Sequence, residues 1–296
     1  MQSNNTHKSI RQLIILLCAI VLLVGALYVG SWLTNRNRIL EKSGEYSRLY
    51  GDGGVSVTIA PTQETLPSVV DQPLPTPDSN TLVIALPTRP PVQSSFSDLL
   101  SLNPDTIGFL RIDALLSLPV VQRPNDNDFY LNHSFEQAET AEGTLFLDGY
   151  NLLVPEDDCL IIYGHNMNNG TMFGELDHYD EADFLKAHPL VNFDTIFENR
   201  TYVPIAAFPA SMNPDSGSYF EVRQMVFDEA GFDLFLSRLK SRSVLDIPVD
   251  AYYGDRMLLL VTCDYTKDDG RFIVALRELR AGETPEEAAA QIQKTK

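Results

Sequence analysis

The sequence predicts a mainly β domain, a closed or nearly closed barrel with a few inserted helices, standing behind one membrane-spanning segment. Three observations carry this. Six runs, "LPVVQ", "GTLFLDG", "CLIIYGH", "TYVPIAAF", "RMLLLVTC" and "RFIVALREL", are 5–9 residues long and rich in Val, Ile, Leu, Phe and Tyr, as strands are. Helical spacing is confined to a few stretches, which suits short strands with a few inserted helices. Near the N-terminus, "LIILLCAIVLLVGALYVGSWL", Leu13 to Leu33, runs 21 residues without a charge, enough to cross a hydrocarbon core about 30 Å thick.

That span is longer than the apolar core of a cleaved signal peptide, roughly 7–15 residues, and it ends near Trp32 rather than at a small-residue cleavage site. It reads as an uncleaved signal-anchor over 13–33, with 1–12 as a short end. Lys8 and Arg11 precede it while Arg36, Arg38 and Lys42 follow, so the positive-inside count does not fix its direction. With so few residues ahead of the span, the short end is expected in the cytoplasm and the bulk of the protein outside. Residues 34–95 read as a juxtamembrane segment and a tether. From Gly51 to Ser95, Pro, Ser and Thr are frequent and no period is sustained. Extended at about 3.1 Å per residue, such a tether reaches on the order of 100 Å or more. Within it, "VSVTIA" and "TLVIAL" could form short strands.

The folded domain is expected over 96–280. "SFSDLLSL" suits a short helix, "NP" ends it, and "DTIGFLRI" is extended. "EADFLKAHP" and "DEAGFDLFLSRLKSR" have helical character, the latter with Phe232, Phe235, Leu236 and Leu239 at helical spacing. The tail, 281–296, holds a further helix signal, with Thr284 as N-cap and Pro285 as the first helical residue. Residues 96–296 carry 15 Lys and Arg against 34 Asp and Glu, a net charge of 15 − 34 = −19. Such a surface repels nucleic acid and anionic lipid headgroups. Of the three cysteines, Cys18 lies in the span. Cys159 and Cys263 are too few for a disulfide framework. No C-x-x-C or H-E-x-x-H occurs, so no zinc site is expected, and nothing in the sequence requires a cofactor.

The candidate chemistry sits around "LLLVTCDYTKDDGRFIVAL". The two apolar runs flank a turn signal, Asp-Asp-Gly, and should pair as an antiparallel hairpin with Cys263 ending one strand and Arg271 opening the next. Directly opposed residues have Cβ atoms about 4.5–5.5 Å apart, so a guanidinium there can stabilise a thiolate or an oxyanion on an attacked carbonyl. The hairpin alone leaves two readings open, a nucleophile or a small core residue. His165, where "CLIIYG" runs into a polar loop, supplies a strand-end imidazole. His178 and His188 have surface contexts, and His7 and His133 no comparable placement. Cys, His and Arg together fill the roles of nucleophile, proton carrier and oxyanion stabiliser. Cys159, at the far end of its strand, reads as packing.

These segments resemble the sortases, cysteine transpeptidases of Gram-positive surfaces, and class B sortases in particular. "LLLVTC" is similar to the family's T-L-x-T-C strand, with Leu259 where Thr is usual. "IIYGHNMNNGTMFGELDHY" is similar to its histidine segment, and "NPDTIGFLRI", "LPVVQRPNDNDFYLNHSFE" and "GTLFLDGYN" follow in order. The resemblance implies an eight-stranded β-barrel with peripheral helices, including one before the cysteine strand. It implies that Cys263 attacks a sorting signal to form a thioester, that His165 is the general acid and base, and that Arg271 positions substrate and oxyanion. It implies substrate contacts at Asn127, Leu131, Tyr163, Thr262 and Tyr219. The implied partners are sorting-signal-bearing surface proteins, a peptidoglycan precursor or cross-bridge amine, and the bilayer; no cofactor is implied. Two alternatives stand beside wall anchoring: a pilin-polymerising sortase, disfavoured because the sequence has no Asp-Pro, and a non-catalytic tethered binder on the same scaffold.

Overall fold

An unbroken helix opens the protein. The computed structural model describes residues 2–51, 89–264 and 270–296, and helix α1 covers Gln2–Gly51. Its apolar part is long enough to cross a membrane and is not buried in the protein. Beyond Leu33 the helix changes character and lies against the domain. Ile39, Tyr46 and Tyr50 are buried there, at separations close to whole turns of a helix with 3.6 residues per turn. Tyr50 stacks on Phe109 with ring centres 4.6 Å apart and meets Phe96 edge-on at 5.0 Å. Its hydroxyl donates to Asp194 Oδ2 at 2.7 Å, and burial, with that carboxylate beside it, pushes the phenol up to about 12. Lys42 Nζ and Tyr46 Oη both donate to Glu136 Oε1 at 2.8 Å. Asn35 Nδ2 donates to Glu142 Oε1 at 2.6 Å, and Arg36 Nε to the carbonyl of Asn169 at 3.1 Å.

The domain's eight strands are β1 (Thr106–Ile112), β2 (Leu116–Val121), β3 (Phe146–Leu147), β4 (Cys159–Gly164), β5 (Val191–Thr195), β6 (Thr201–Ser211), β7 (Met257–Asp264) and β8 (Gly270–Glu278). They close into a barrel in the order β1-β2-β3-β4-β7-β8-β6-β5, with β5 returning to β1. Most neighbours are antiparallel, but β4 and β7 run parallel through six paired positions. Phe109, Val120, Ile161, Phe193, Phe208, Leu260 and Val274 are fully buried in the core.

Helices sit at the periphery: α2 (Ser97–Leu102), α3 (Ala182–Ala187), α4 (Glu229–Arg242) and α5 (Pro285–Ile292). In α4 the Asp228 carboxylate accepts from Gly231 N–H at 2.7 Å, and Phe232, Phe235 and Leu239 form its buried face. The cap expected at Thr284 is a reciprocal one, Thr284 Oγ1 accepting from Glu287 N–H while Glu287 Oε2 accepts from Thr284 N–H.

The eight-stranded barrel and its peripheral helices match the sequence expectation. Three features go beyond it. The segment 34–51, read as the juxtamembrane stretch ahead of the tether, is a helix packed on the domain, because its aromatic and apolar residues share one face among charged neighbours. Ordered contacts also begin ahead of Phe96, since Gln93 N–H donates to Ile196 O at 2.8 Å. Strand β5 had no place in the sequence reading. Its "VNFDT" is short, and Asp194 is buried by the ion pair it makes with Arg111 at 2.6 Å rather than by apolar character. The possible strands at 55–60 and 81–86 lie outside the described residues.

Candidate active site

Strand register brings three of the expected residues to one end of the barrel. In the antiparallel β7–β8 pair, Cys263 stands directly opposite Arg271. In the parallel β4–β7 pair, Tyr163 aligns with Val261 and Gly164 with Thr262. His165 follows Gly164, so the next position along β7 from its partner is Cys263. The expected hairpin geometry and the parallel crossover thus converge on neighbouring strands.

His165 is half-buried, and its Nε2 lies 2.8 Å from the carbonyl oxygen of Leu131. A carbonyl only accepts, so this bond requires the proton on Nε2 and leaves Nδ1 as the basic nitrogen of the neutral ring. Beside it opens a cleft of about 180 Å³ lined by Asn127, Leu131, Phe146, Tyr163, Arg223 and Arg271, among others. Arg271 is half-buried in this wall and donates from Nη1 to Gly270 O at 2.7 Å. Tyr163 donates its hydroxyl to Asp148 Oδ2 at 3.0 Å. Burial first, then the Asp148 charge, holds that phenol far above its ordinary range, hence neutral.

The expected substrate contacts divide. Asn127, Leu131 and Tyr163 line the cleft. Thr262 does not: it is fully buried, one residue from Val261 and therefore on the other face of the strand. Tyr219 is also absent from the lining, and its hydroxyl donates to Glu221 at 2.6 Å. Leu131 has a second part to play, since its carbonyl orients His165, a backbone role that side-chain pattern does not reveal.

Cys159 is fully buried at the opposite end of β4, paired with Met257, five positions before Thr262. Burial, reinforced by Asp157 and Asp158, pushes its thiol well above the ordinary cysteine range, so it stays a protonated, inert thiol. The other histidines are elsewhere. His178 is exposed beside Glu175 and Glu181, His188 bonds Asp113 O, and His133 stacks on Phe129 with ring centres 3.9 Å apart. A larger groove of about 380 Å³ runs between α1 and the barrel; its lining holds neither cysteine nor histidine.

Arg223 in the cleft lining and Asp148, bonded to it from behind, carry no sequence signal for a site. Arg223 lies in the irregular connection between β6 and α4, where no period points anywhere. Asp148 is fully buried in "FLDGY", where an acid followed by glycine reads as a turn. Arg223 Nε donates to Asp148 Oδ2 at 3.0 Å. Among the described residues no cluster of His, Cys, Asp and Glu is arranged to hold a metal ion.

No family model matches this sequence. Sortase B of Listeria monocytogenes is 32% identical over 186 residues, 62% of this chain and 73% of that protein. Sortase B of Staphylococcus aureus is 27% identical over 192 residues, 64% of this chain and 76% of that one. Among solved structures, a Staphylococcus aureus sortase B–substrate complex gives a TM-score of 0.56 at 26% identity, covering 64% of this chain and 87% of that one. Clostridium perfringens sortase B gives 0.54 at 27% identity, covering 62% and 99%.

Proposed function

The chain belongs to the sortase B family of cysteine transpeptidases, and from that premise we propose that Cys263, His165 and Arg271 carry its reaction by way of a thioester. Cys263 gives its thiol proton to His165, and its Sγ attacks the carbonyl of the scissile residue in a sorting signal, forming a C–S bond. Collapse of the tetrahedral intermediate breaks the peptide C–N bond, and His165 gives the leaving amine its proton. An incoming amine attacks the thioester carbonyl, His165 takes up its proton, and Cys263 leaves as the product amide forms. Arg271 holds the oxyanion in both steps.

The observation that supports this most is the strand register: Cys263 opposite Arg271, with His165 following the residue paired to Thr262. The acyl donors are then sorting-signal-bearing surface proteins, and the acceptor is an amine of the peptidoglycan or its precursor. With α1 as a single anchor, residues 1–12 face the cytoplasm and the barrel stands outside.

The test is mass spectrometry of the full-length protein in detergent after incubation with LPxTG-like and NPxTN-like peptides. A covalent acyl adduct on Cys263, absent in Cys263→Ala and retained in Cys159→Ala, is the expected result. An adduct that persists in Cys263→Ala and vanishes in Cys159→Ala would reverse the assignment.

A further inference from the structure

Three polar residues within one turn of α1 hold the two supports of His165, its own backbone and the acceptor of its ring. The first support is the loop that follows the histidine. Arg36 Nε donates to Asn169 O at 3.1 Å. Asn169 is buried, and its Oδ1 accepts from Thr171 N–H at 3.2 Å and from Thr171 Oγ1 at 2.6 Å. Asn166 and Met172 pair across the loop, and Phe173 N–H closes it on the carbonyl of His165 itself at 2.9 Å. Arg36 therefore fastens the tip of a loop whose two ends meet at His165.

The second support is the Leu131 carbonyl, which accepts from the ring at 2.8 Å. Gly143 lies directly against it. A Cβ built on that glycine would come within 2.7 Å of Leu131 O and 2.5 Å of Tyr130 O, and its φ is +59°, a conformation glycine adopts without strain. The residue before it, Glu142, is buried and is held by α1. Asn35 Nδ2 donates to its Oε1 at 2.6 Å, and Arg38 Nη2 to the same oxygen at 3.1 Å. The other oxygen accepts from Thr140 Oγ1, and Thr140 N–H donates to Asn132 O, next to Leu131, at 2.9 Å. None of the three α1 residues lines the cleft beside Arg271, so whatever they do to the reaction passes through His165. Proton transfer needs the imidazole within about 2.6–3.2 Å of the group it serves, and a misplacement of about 1 Å costs on the order of 10²-fold.

We propose that Asn35, Arg36 and Arg38 are positioning residues for His165, so that the membrane-anchored helix sets the geometry of the proton carrier as well as the place of the domain. Arg36 acts on the histidine backbone through Asn169, and Asn35 and Arg38 act on its ring through Glu142, Gly143 and the Leu131 carbonyl. The proposal rests on the acid–base role given to His165 above and extends it to residues outside the cleft.

The experiment measures kcat and KM for the full-length protein in detergent, at a temperature well below the Tm of every variant, with the LPxTG-like or NPxTN-like peptide that acylates the wild type. Arg36→Ala is expected to lower kcat about tenfold while KM stays within about twofold, because the cleft keeps its lining. Arg36→Lys, whose ammonium still donates to a carbonyl, recovers most of the loss. Asn35→Ala combined with Arg38→Ala lowers kcat by a similar factor. All three changes together approach the roughly 10²–10⁴-fold share of general acid–base catalysis. Tyr50→Phe weakens the same helix at Asp194, away from His165, so it lowers Tm and leaves kcat within about twofold of wild type. An unchanged kcat in Arg36→Ala, a loss confined to KM, or an equal fall of kcat in Tyr50→Phe overturns the positioning role. Should Arg36→Ala not fold, the Asn35→Ala and Arg38→Ala pair decides by the same split. Failure of the wild type to form an acyl-enzyme with any peptide overturns the thioester reading and this proposal with it, and is visible before any variant is made.

Discussion

Tyr50 joins the membrane-anchored helix to the barrel, and replacing it should destabilise the domain far from the cleft. Its ring is buried between Phe96 and Phe109, and its hydroxyl donates to Asp194 Oδ2 at 2.7 Å. Asp194 is almost completely buried, and it also pairs with Arg111. Tyr50→Phe keeps the ring and removes one hydrogen bond to a charged acceptor, worth about 1.5–3 kcal/mol. Tyr50→Ala adds the loss of the buried ring, for which about 3–5 kcal/mol is usual. Each 1 kcal/mol moves the Tm of a domain of 150–250 residues by roughly 2–4 °C. The expected drops are then roughly 3–12 °C for Phe and, with both losses together, roughly 9–32 °C for Ala. Thermal unfolding of the full-length protein in detergent, followed by circular dichroism, measures both. Hydrogen exchange over residues 39–50 reports whether the helix has come away. If Tyr50→Ala unfolds within about a degree of wild type, α1 is not part of the folded unit and the packing argument fails.

Arg271→Ala should slow acylation by roughly 10²–10³-fold, the usual cost of losing one oxyanion donor. Arg271→Lys should recover only part of that, because an ammonium lacks the planar fork; single-turnover kinetics with a chromogenic peptide distinguishes the two, and a loss under threefold for Ala would remove Arg271 from the reaction. The dock of α1 should also weaken in acid. Burial raises the Glu136 carboxyl, but Lys42 and Tyr46 outweigh it, and its folded value lies below the ordinary glutamate range. Its stabilisation is therefore complete above the unfolded pKa, near 4.5, and is lost as pH falls through the lower folded value. A partly exposed pair of this kind contributes about 1 kcal/mol or less, so Glu136→Gln should lower the neutral plateau of a Tm-against-pH curve slightly and meet the wild-type curve in acid. A plateau equal to that of wild type would show that another carboxylate controls the acid limb.

What was legible in the sequence and what was not follow from where each residue's constraint originates. Six strands announce themselves as short apolar runs rich in β-branched and aromatic residues, and the two internal helices by their helical character, both local signals. The hairpin around Cys263 was legible for the same reason: a turn signal between two apolar runs fixes which residues face each other. The parallel partnership of β4 with β7 was not, because His165 and Cys263 stand 263 − 165 = 98 positions apart, and no local pattern records a crossover. Asp194, Asp148 and Arg223 were invisible for a further reason. Each is an acidic or basic residue whose burial or placement is set by a partner distant in sequence, Arg111 and Tyr50 for the first, Arg223 and Tyr163 for the second. Charge in sequence reads as solvated surface until such a partner is known.

The packed juxtamembrane helix also changes how the enzyme meets its substrates. A long tether would let the domain range through the layer above the membrane, and residues 52–88 are numerous enough for one. Yet α1 is continuous from the apolar span into its contacts with the barrel, so the length of those residues does not set the domain's reach. Arg36, three residues past Leu33 or about 4.5 Å along a helix rising 1.5 Å per residue, donates to Asn169 O. Asn169 belongs to the loop that follows His165, and Tyr28, Trp32 and Asn35 face Asn166–Asn169 across one groove. The end of the barrel that carries His165 is therefore held within about one helical turn of the point where the apolar span ends. Trp and Tyr in that turn are the residue types that settle at headgroup level. With the apolar span in a bilayer, this end of the barrel would stand close to the bilayer surface.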